Sequence, residues 1–156
     1  VLGSFPEWQQ LPVGGQIDLI SSKKRVIAEI KNKHNTVKKS DLASIYDTLS
    51  DLVNLKSSKY YKWTAYYVTI IPEARYKNKT IPFTPSDTKK GINRPFDEKI
   101  HQIDGDAFYA LVSGKPKTLM DVFTGLNAIL NKLGYKAVGK DLPNYHDLFE
   151  RAFVKI

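Results

Sequence analysis

The stretch GGQIDLISSKKRVIAEIKNKHNTVKKSDLASIYDTL, residues 14–49, decides the fold. Gly14-Gly15 leads into Gln16–Ile20, Ser21–Lys24 turns the chain, and Arg25–Lys31 returns. Enrichment in β-branched residues between turn residues predicts a hairpin of two strands. Ser40 is then expected to cap a helix, with Asp41 in its first turn favoured by the helix dipole. Leu42, Ile45, Tyr46, Leu49, Leu52 and Val53 recur at helical spacing and form one apolar face about four turns long.

Further along, YYKWTAYYVTII (60–71) is aromatic and β-branched and ends at Pro72, which predicts a third, buried strand. Residues 72–98 hold four of the eight prolines and little periodicity. They read as one long functional loop inside the domain. Asp106–Val112 reads as a short helix closed by Gly114. Thr118 with Asp121 suggests a capping box opening a helix that stops at Gly134, and a last helix is expected over about 143–153. The order strand, strand, helix, strand, long loop, helices describes a mixed α/β (α+β) domain over residues 1–156, a central mixed sheet with a hairpin, flanked by helices.

Composition narrows the function. The chain has 156 residues, no cysteine and three widely spaced histidines, which argues against disulfide scaffolds, thiolate chemistry and histidine-rich zinc sites. No apolar run is long enough to span a membrane. The formal net charge is +8. Residues 22–40 hold seven bases against Glu29 alone, and residues 75–99 hold seven against three acids. These runs read as strand and loop and not as an amphipathic helix, so nucleic acid is the expected anionic partner over a membrane surface. The N-terminus, VLGSFPEW, has neither an initiator Met nor the pattern of a secretory signal, and the expectation is a chain that begins inside a longer parent.

Glu29 and Lys31 stand two apart on a strand and so share a sheet face, while Val26, Ala28 and Ile30 face the core. Asp18 on the preceding strand comes opposite Glu29 if the hairpin closes. Two converging carboxylates repel unless a cation sits between them. A hard divalent ion such as Mg²⁺ takes oxygen ligands of this kind, and a neighbouring lysine suits water attack on a phosphodiester. The pattern D-x10-E-x-K is short, and an ion-paired polar hairpin face explains it as well.

At these residues the sequence resembles the PD-(D/E)xK type II restriction endonucleases, in particular the group cutting GGNCC- or GGWCC-type sites. The likeness is clear over residues 11–55 and looser through IDGDAFYALVSGKPKTLMDVF (103–123). It implies a restriction-endonuclease-like core and Mg²⁺-dependent cleavage of double-stranded DNA at a short palindromic site by a homodimer. It further implies a bacterial cytoplasm, and a cognate DNA methyltransferase as a genetic, not physical, partner. By the same resemblance Asp18, Glu29 and the Ile30 carbonyl are metal ligands and Lys31 is the catalytic base or electrostatic helper. Ile17 stands where the motif's name puts proline, and the helical sequence usual before the first strand is missing. Glu7 is a candidate remnant of the acidic residue such helices carry.

Lys33, His34, Lys38 and Lys39 follow the active strand and are expected to hold phosphates. Base reading favours arginine, and of four arginines two fall in the 72–98 loop. Arg94 is the first candidate and Arg75, with Lys77 and Lys79, the next. The competing reading for Arg94 is a surface ion pair with Asp97 or Glu98. Tyr60, Tyr61, Trp63, Tyr66 and Tyr67 are expected to pack in the core and not to stack on bases. Two other functions keep the same residues: a repair or junction-resolving nuclease, and a catalytically idle DNA-binding module.

Overall fold

A computed structural model describes residues 2–77, 79–87 and 90–133. Eight strands are present: β1 (Gln9–Gln10), β2 (Leu19–Ser21), β3 (Val26–Lys33), β4 (Thr64–Ile71), β5 (Thr80–Pro82), β6 (Ser86–Asp87), β7 (Ile92–Asn93) and β8 (Ile100–Asp104). Three helices accompany them: α1 (Lys39–Asn54), α2 (Gly105–Ser113) and α3 (Thr118–Lys132). Six strands form one mixed sheet in the order β1-β2-β3-β4-β8-β5, and β6 and β7 make a separate two-stranded ribbon. The centre, β3-β4-β8, is parallel, and β1, β2 and β5 add antiparallel margins. This is the mixed α/β architecture expected, with the hairpin in place.

Parallel strands need crossovers and are covered on both faces. Here α1 carries the chain from β3 to β4, and its Tyr46, Leu49 and Val53 pack on Ile27, Ala65, Tyr67 and Ile100. The alternate residues of the same strands, Ala28, Val68 and Ile103, pack with Phe108 and Val112 of α2 and with Trp8. α3 adds Leu119 against Tyr109 of α2. Burying a large apolar side chain in such a layer contributes roughly 1.5–3 kcal/mol. Tyr60 and Tyr67 are buried, and Tyr66 packs against Phe108 with its ring tilted. No helix among the described residues is long and apolar enough to cross a membrane.

Several boundaries differ from the sequence reading. The buried strand starts at Thr64, because Tyr60–Trp63 form turns stitched back to the end of α1 by Lys62 N–H to Val53 O (2.8 Å). α1 begins at Lys39 with Lys38 in the cap position, and Ser40 instead donates its hydroxyl to Asp41 (3.0 Å). The 72–98 loop is not irregular throughout: it contains β5, β6, β7 and a 3₁₀ turn over Ala74–Tyr76. β8 is absent from the sequence reading, which passes directly from the loop to a helix. α2 starts at Gly105, capped by Asp104, whose carboxylate accepts from Ala107 N–H (2.8 Å). Its close at Gly114, left-handed at φ 73°, is as expected. Thr118 does open α3, but its hydroxyl donates to Lys115 O (2.8 Å) and meets Ser113 Oγ. Gly134 and the helix expected over 143–153 lie outside the described residues.

Gly105 marks the tightest join of sheet and helix. A Cβ there would lie 2.5 Å from Ile70 O and 2.8 Å from Ile70 Cα, both backbone atoms of β4 that cannot step aside. Gly105→Ala is therefore expected to cost about 1–3 kcal/mol, read as a lower urea midpoint with an unchanged slope.

Candidate active site

Asp18 sits one residue before β2 and is held at three points. Its carbonyl accepts from Leu11 N–H (2.9 Å), its N–H donates to Ala28 O (2.9 Å), and its carboxylate Oδ2 accepts from Ile30 N–H (2.7 Å). The last bond exists because β2 is short. Its pairing with β3 ends at Leu19 and Ala28, while β3 runs on to Lys33, so among the described residues no strand covers that edge of β3 beyond Ala28. The side chain of Asp18 thus takes the place of a missing strand. A strand directs the N–H and C=O of one residue to the same edge, which puts the Ile30 carbonyl on Asp18's side as well.

Glu29 and Lys31 project from the α1 face of β3, where Lys31 Nζ lies 2.6 Å from Glu29 Oε1. Ile27, on the same face one step earlier, is fully buried under α1. This face is therefore core at its start and polar at its C-terminal end; it is not polar throughout. Burial raises the Glu29 carboxyl above 4.5, the nearby charge of Asp18 adds to the rise, and the Lys31 ammonium opposes it. The hydrogen bond to Glu29 in turn holds the Lys31 pKa above its usual value, against the effect of burial. Among the described residues no three His, Cys, Asp or Glu side chains stand together. The oxygens available to a metal are the Asp18 and Glu29 carboxylates and the Ile30 carbonyl. Two carboxylates, the charge of Asp18 near enough to raise Glu29, with hard oxygen donors, fit a divalent cation of the Mg²⁺ class.

The basic candidates are placed around this centre. Lys33 ends β3, and Lys33, His34 and Lys38 are exposed between β3 and α1, with Lys39 the first residue of α1. His34 donates its backbone N–H to Ile71 O (3.0 Å). Arg75 pairs with Glu73 (2.8 Å) and lies over the Tyr76 ring, and Lys77 follows the same turn. Arg94 is engaged differently. Nε and Nη2 grip both carboxylate oxygens of Asp47 (2.7 and 2.6 Å) and Nη1 donates to Asp87 (3.1 Å). Its ion-pair partners are Asp47 and Asp87, not Asp97 or Glu98. Glu7 pairs with Lys23 at the hairpin turn.

The parallel register adds residues that sequence reasoning did not single out for the site. Tyr67 stands beside Glu29 and Thr69 beside Lys31. The Tyr67 phenol, pushed up by burial, lies near Thr69, Lys31 and Glu29. Both residues also line a cleft of about 550 Å³ whose other walls include His34, Arg75, Gln102, Ser86 and Asn93. Only the register of β4 on β3 reveals them.

The protein family described as Eco47II restriction endonuclease matches residues 1–134. The type II restriction enzyme Eco47II of Escherichia coli is 41% identical over 128 residues, covering 81% of this chain and 52% of that protein. The type II restriction enzyme Sau96I of Staphylococcus aureus is 26% identical over 118 residues, covering 74% of this chain and 43% of that protein. The chain spans about half the length of these curated relatives. No solved structure matches it.

Removing the Asp18 carboxylate strands the Ile30 N–H at a partly covered edge. Asp18→Ala is expected to lose about 1–3 kcal/mol, whereas Asp18→Asn, which keeps an oxygen acceptor, retains most of that. Urea unfolding of both variants in EDTA reads the difference without any contribution from metal.

Proposed function

The chain belongs to the Eco47II restriction endonuclease family, and on that premise we propose that the whole protein is a Mg²⁺-dependent type II endonuclease. Its substrate is double-stranded DNA carrying a short palindromic site, and two copies cut the two strands. The observation that carries this reading is the bond from Ile30 N–H to Asp18. It brings Asp18, Glu29 and the Ile30 carbonyl to one open strand edge beside Lys31.

Asp18 and Glu29, with the Ile30 carbonyl, would hold the cation through hard oxygen donors of the kind Mg²⁺ takes. When bound, Mg²⁺ polarises the scissile phosphate and lowers the pKa of the attacking water. The water oxygen would bond to phosphorus, roughly in line, as the bond to the leaving oxygen breaks; the proton the water gives up passes to solvent and the leaving oxygen takes one from solvent. Lys31 supplies positive charge to the crowded phosphoryl oxygens. Its ammonium, ion-paired to Glu29 and held above its usual pKa by that bond, carries the charge this role requires. Lys33, His34, Lys38 and Lys39, with Arg75 and Lys77 across the cleft, hold the DNA backbone. The bacterial cytoplasm, with a methyltransferase protecting the host's own sites, completes the reading.

Two measurements test it. The protein and Lys31→Ala are incubated with long duplex DNA in Mg²⁺ and in EDTA. Discrete fragments are expected from the parent with Mg²⁺ alone, and at least about a hundredfold slower cutting from the variant. Equal cutting by Lys31→Ala overturns the site. In Ca²⁺, without turnover, binding of duplex DNA by the Lys33→Ala/Lys38→Ala double variant is expected to show a log–log salt slope shallower by about two.

A further inference from the structure

Residues 85–87 and 90–97 form a small unit seated on α1. Asp87 caps its turn, accepting from Lys90 N–H at Oδ1 (3.2 Å), and its other oxygen receives Arg94. Arg94 N–H donates to Pro85 O (2.9 Å), which closes the base of the ribbon. Three residues of α1 then fasten the unit from below. Asp47 takes the fork of Arg94, Tyr46 OH donates to Pro95 O (2.8 Å), and Asn54 donates to Asp97 (2.7 Å). The Arg94 side chain is 15% exposed and its partner Asp87 12%. To reach a base edge bidentately, Arg94 would have to leave Asp47 and strand two carboxylates. Ser86 and Asn93, hydrogen-bonded to each other across the ribbon, instead face the cleft that Tyr67 and Thr69 border beside Glu29 and Lys31.

We propose that Arg94 is a positioning residue for site recognition. Its clamp on Asp47 and Asp87 holds the β6–β7 ribbon against α1, so that Ser86 and Asn93 meet the DNA bases at a fixed distance from Lys31. This deepens the endonuclease reading and rests on it. α1 is the lever. Its apolar face packs under the catalytic strand while Asp47 grips the ribbon, so the spacing between reading and cutting groups is set by one rigid element. Asp47, an acid on α1 in a strongly basic chain, has a purpose in this arrangement. A hydroxyl and a carboxamide are a donor–acceptor pair suited to base edges.

A double-mutant cycle separates positioning from contact. Arg94→Met, Asp47→Asn and the double variant are made in the whole protein, since Asp47 is half exposed and Asn is its isostere. Two quantities are read: amide exchange across 90–97 in the free protein, and the ratio of cleavage at the recognised site to cleavage at a site with one base pair changed. Faster exchange in Asp47→Asn is expected, with the cleavage ratio falling about tenfold or more and the double variant no worse than Arg94→Met. Two results overturn the proposal. One is parental discrimination in Asp47→Asn while Arg94→Met loses it, which makes Arg94 a base contact. The other is parental exchange in Asp47→Asn, which removes the clamp. A parent protein that cuts without site preference overturns the endonuclease reading itself, and that shows before any variant is compared.

Discussion

The hydrogen bond from Ile30 N–H to the Asp18 carboxylate is the constraint on which the site depends. A parallel sheet leaves its margins to be finished by something, and here β2 stops short of the length of β3. An unpaired N–H at a half-covered edge costs free energy unless it finds an acceptor. Asp18 satisfies it with a charged oxygen, and in doing so is brought close enough to Glu29 to raise that carboxyl. The repulsion is tolerable because Lys31 stands on the next outward position of the same strand. Structural need and functional chemistry therefore share one bond. The edge that lacks a strand is the edge that offers oxygens.

The rest of the molecule keeps that edge in place. α1 buries Ile27 and leaves Glu29 and Lys31 partly accessible, because its apolar face is spent on the core beneath the first half of the strand. α2 seals the opposite face, and its start at Gly105 lies so close to β4 that no side chain is admitted. β3, β4 and β8 run parallel, so their C-terminal ends lie together. Functional groups gather there for the reason general to open α/β sheets: the strands are rigid and the loops that leave them are free to vary.

Local patterns carried much of this. The strand at β3, the apolar stripe of α1 and the left-handed stop at Gly114 each follow from chemistry within a few residues, and each is where the pattern puts it. The pairing of Glu29 with Lys31 follows from strand period alone. What failed locally had a competitor farther away. β8 is five residues, IHQID, with a histidine, a glutamine and an aspartate, and nothing in its composition marks a strand. It is one because Ile100 and Ile103 fill opposite faces between β4 and β5. Ser40 had the right chemistry for a cap, yet the helix starts one residue before it. Arg94 sits in a basic loop that suggests DNA contact, but its guanidinium is committed to Asp47, 47 positions earlier.

The sequence by itself determined the class of the domain, the strand that bears Glu29 and Lys31, and the helix that follows it. Those depend on periodicity and on neighbours one to four residues apart, which a linear pattern records. Tertiary structure alone decided which edge of β3 stays open, which residues of β4 stand beside Glu29 and Lys31, and whether Arg94 faces solvent or carboxylates. Each of these turns on register or on contacts between segments dozens of residues apart. Their free energy comes from burial and satisfied hydrogen bonds, which exist only once the sheet is assembled.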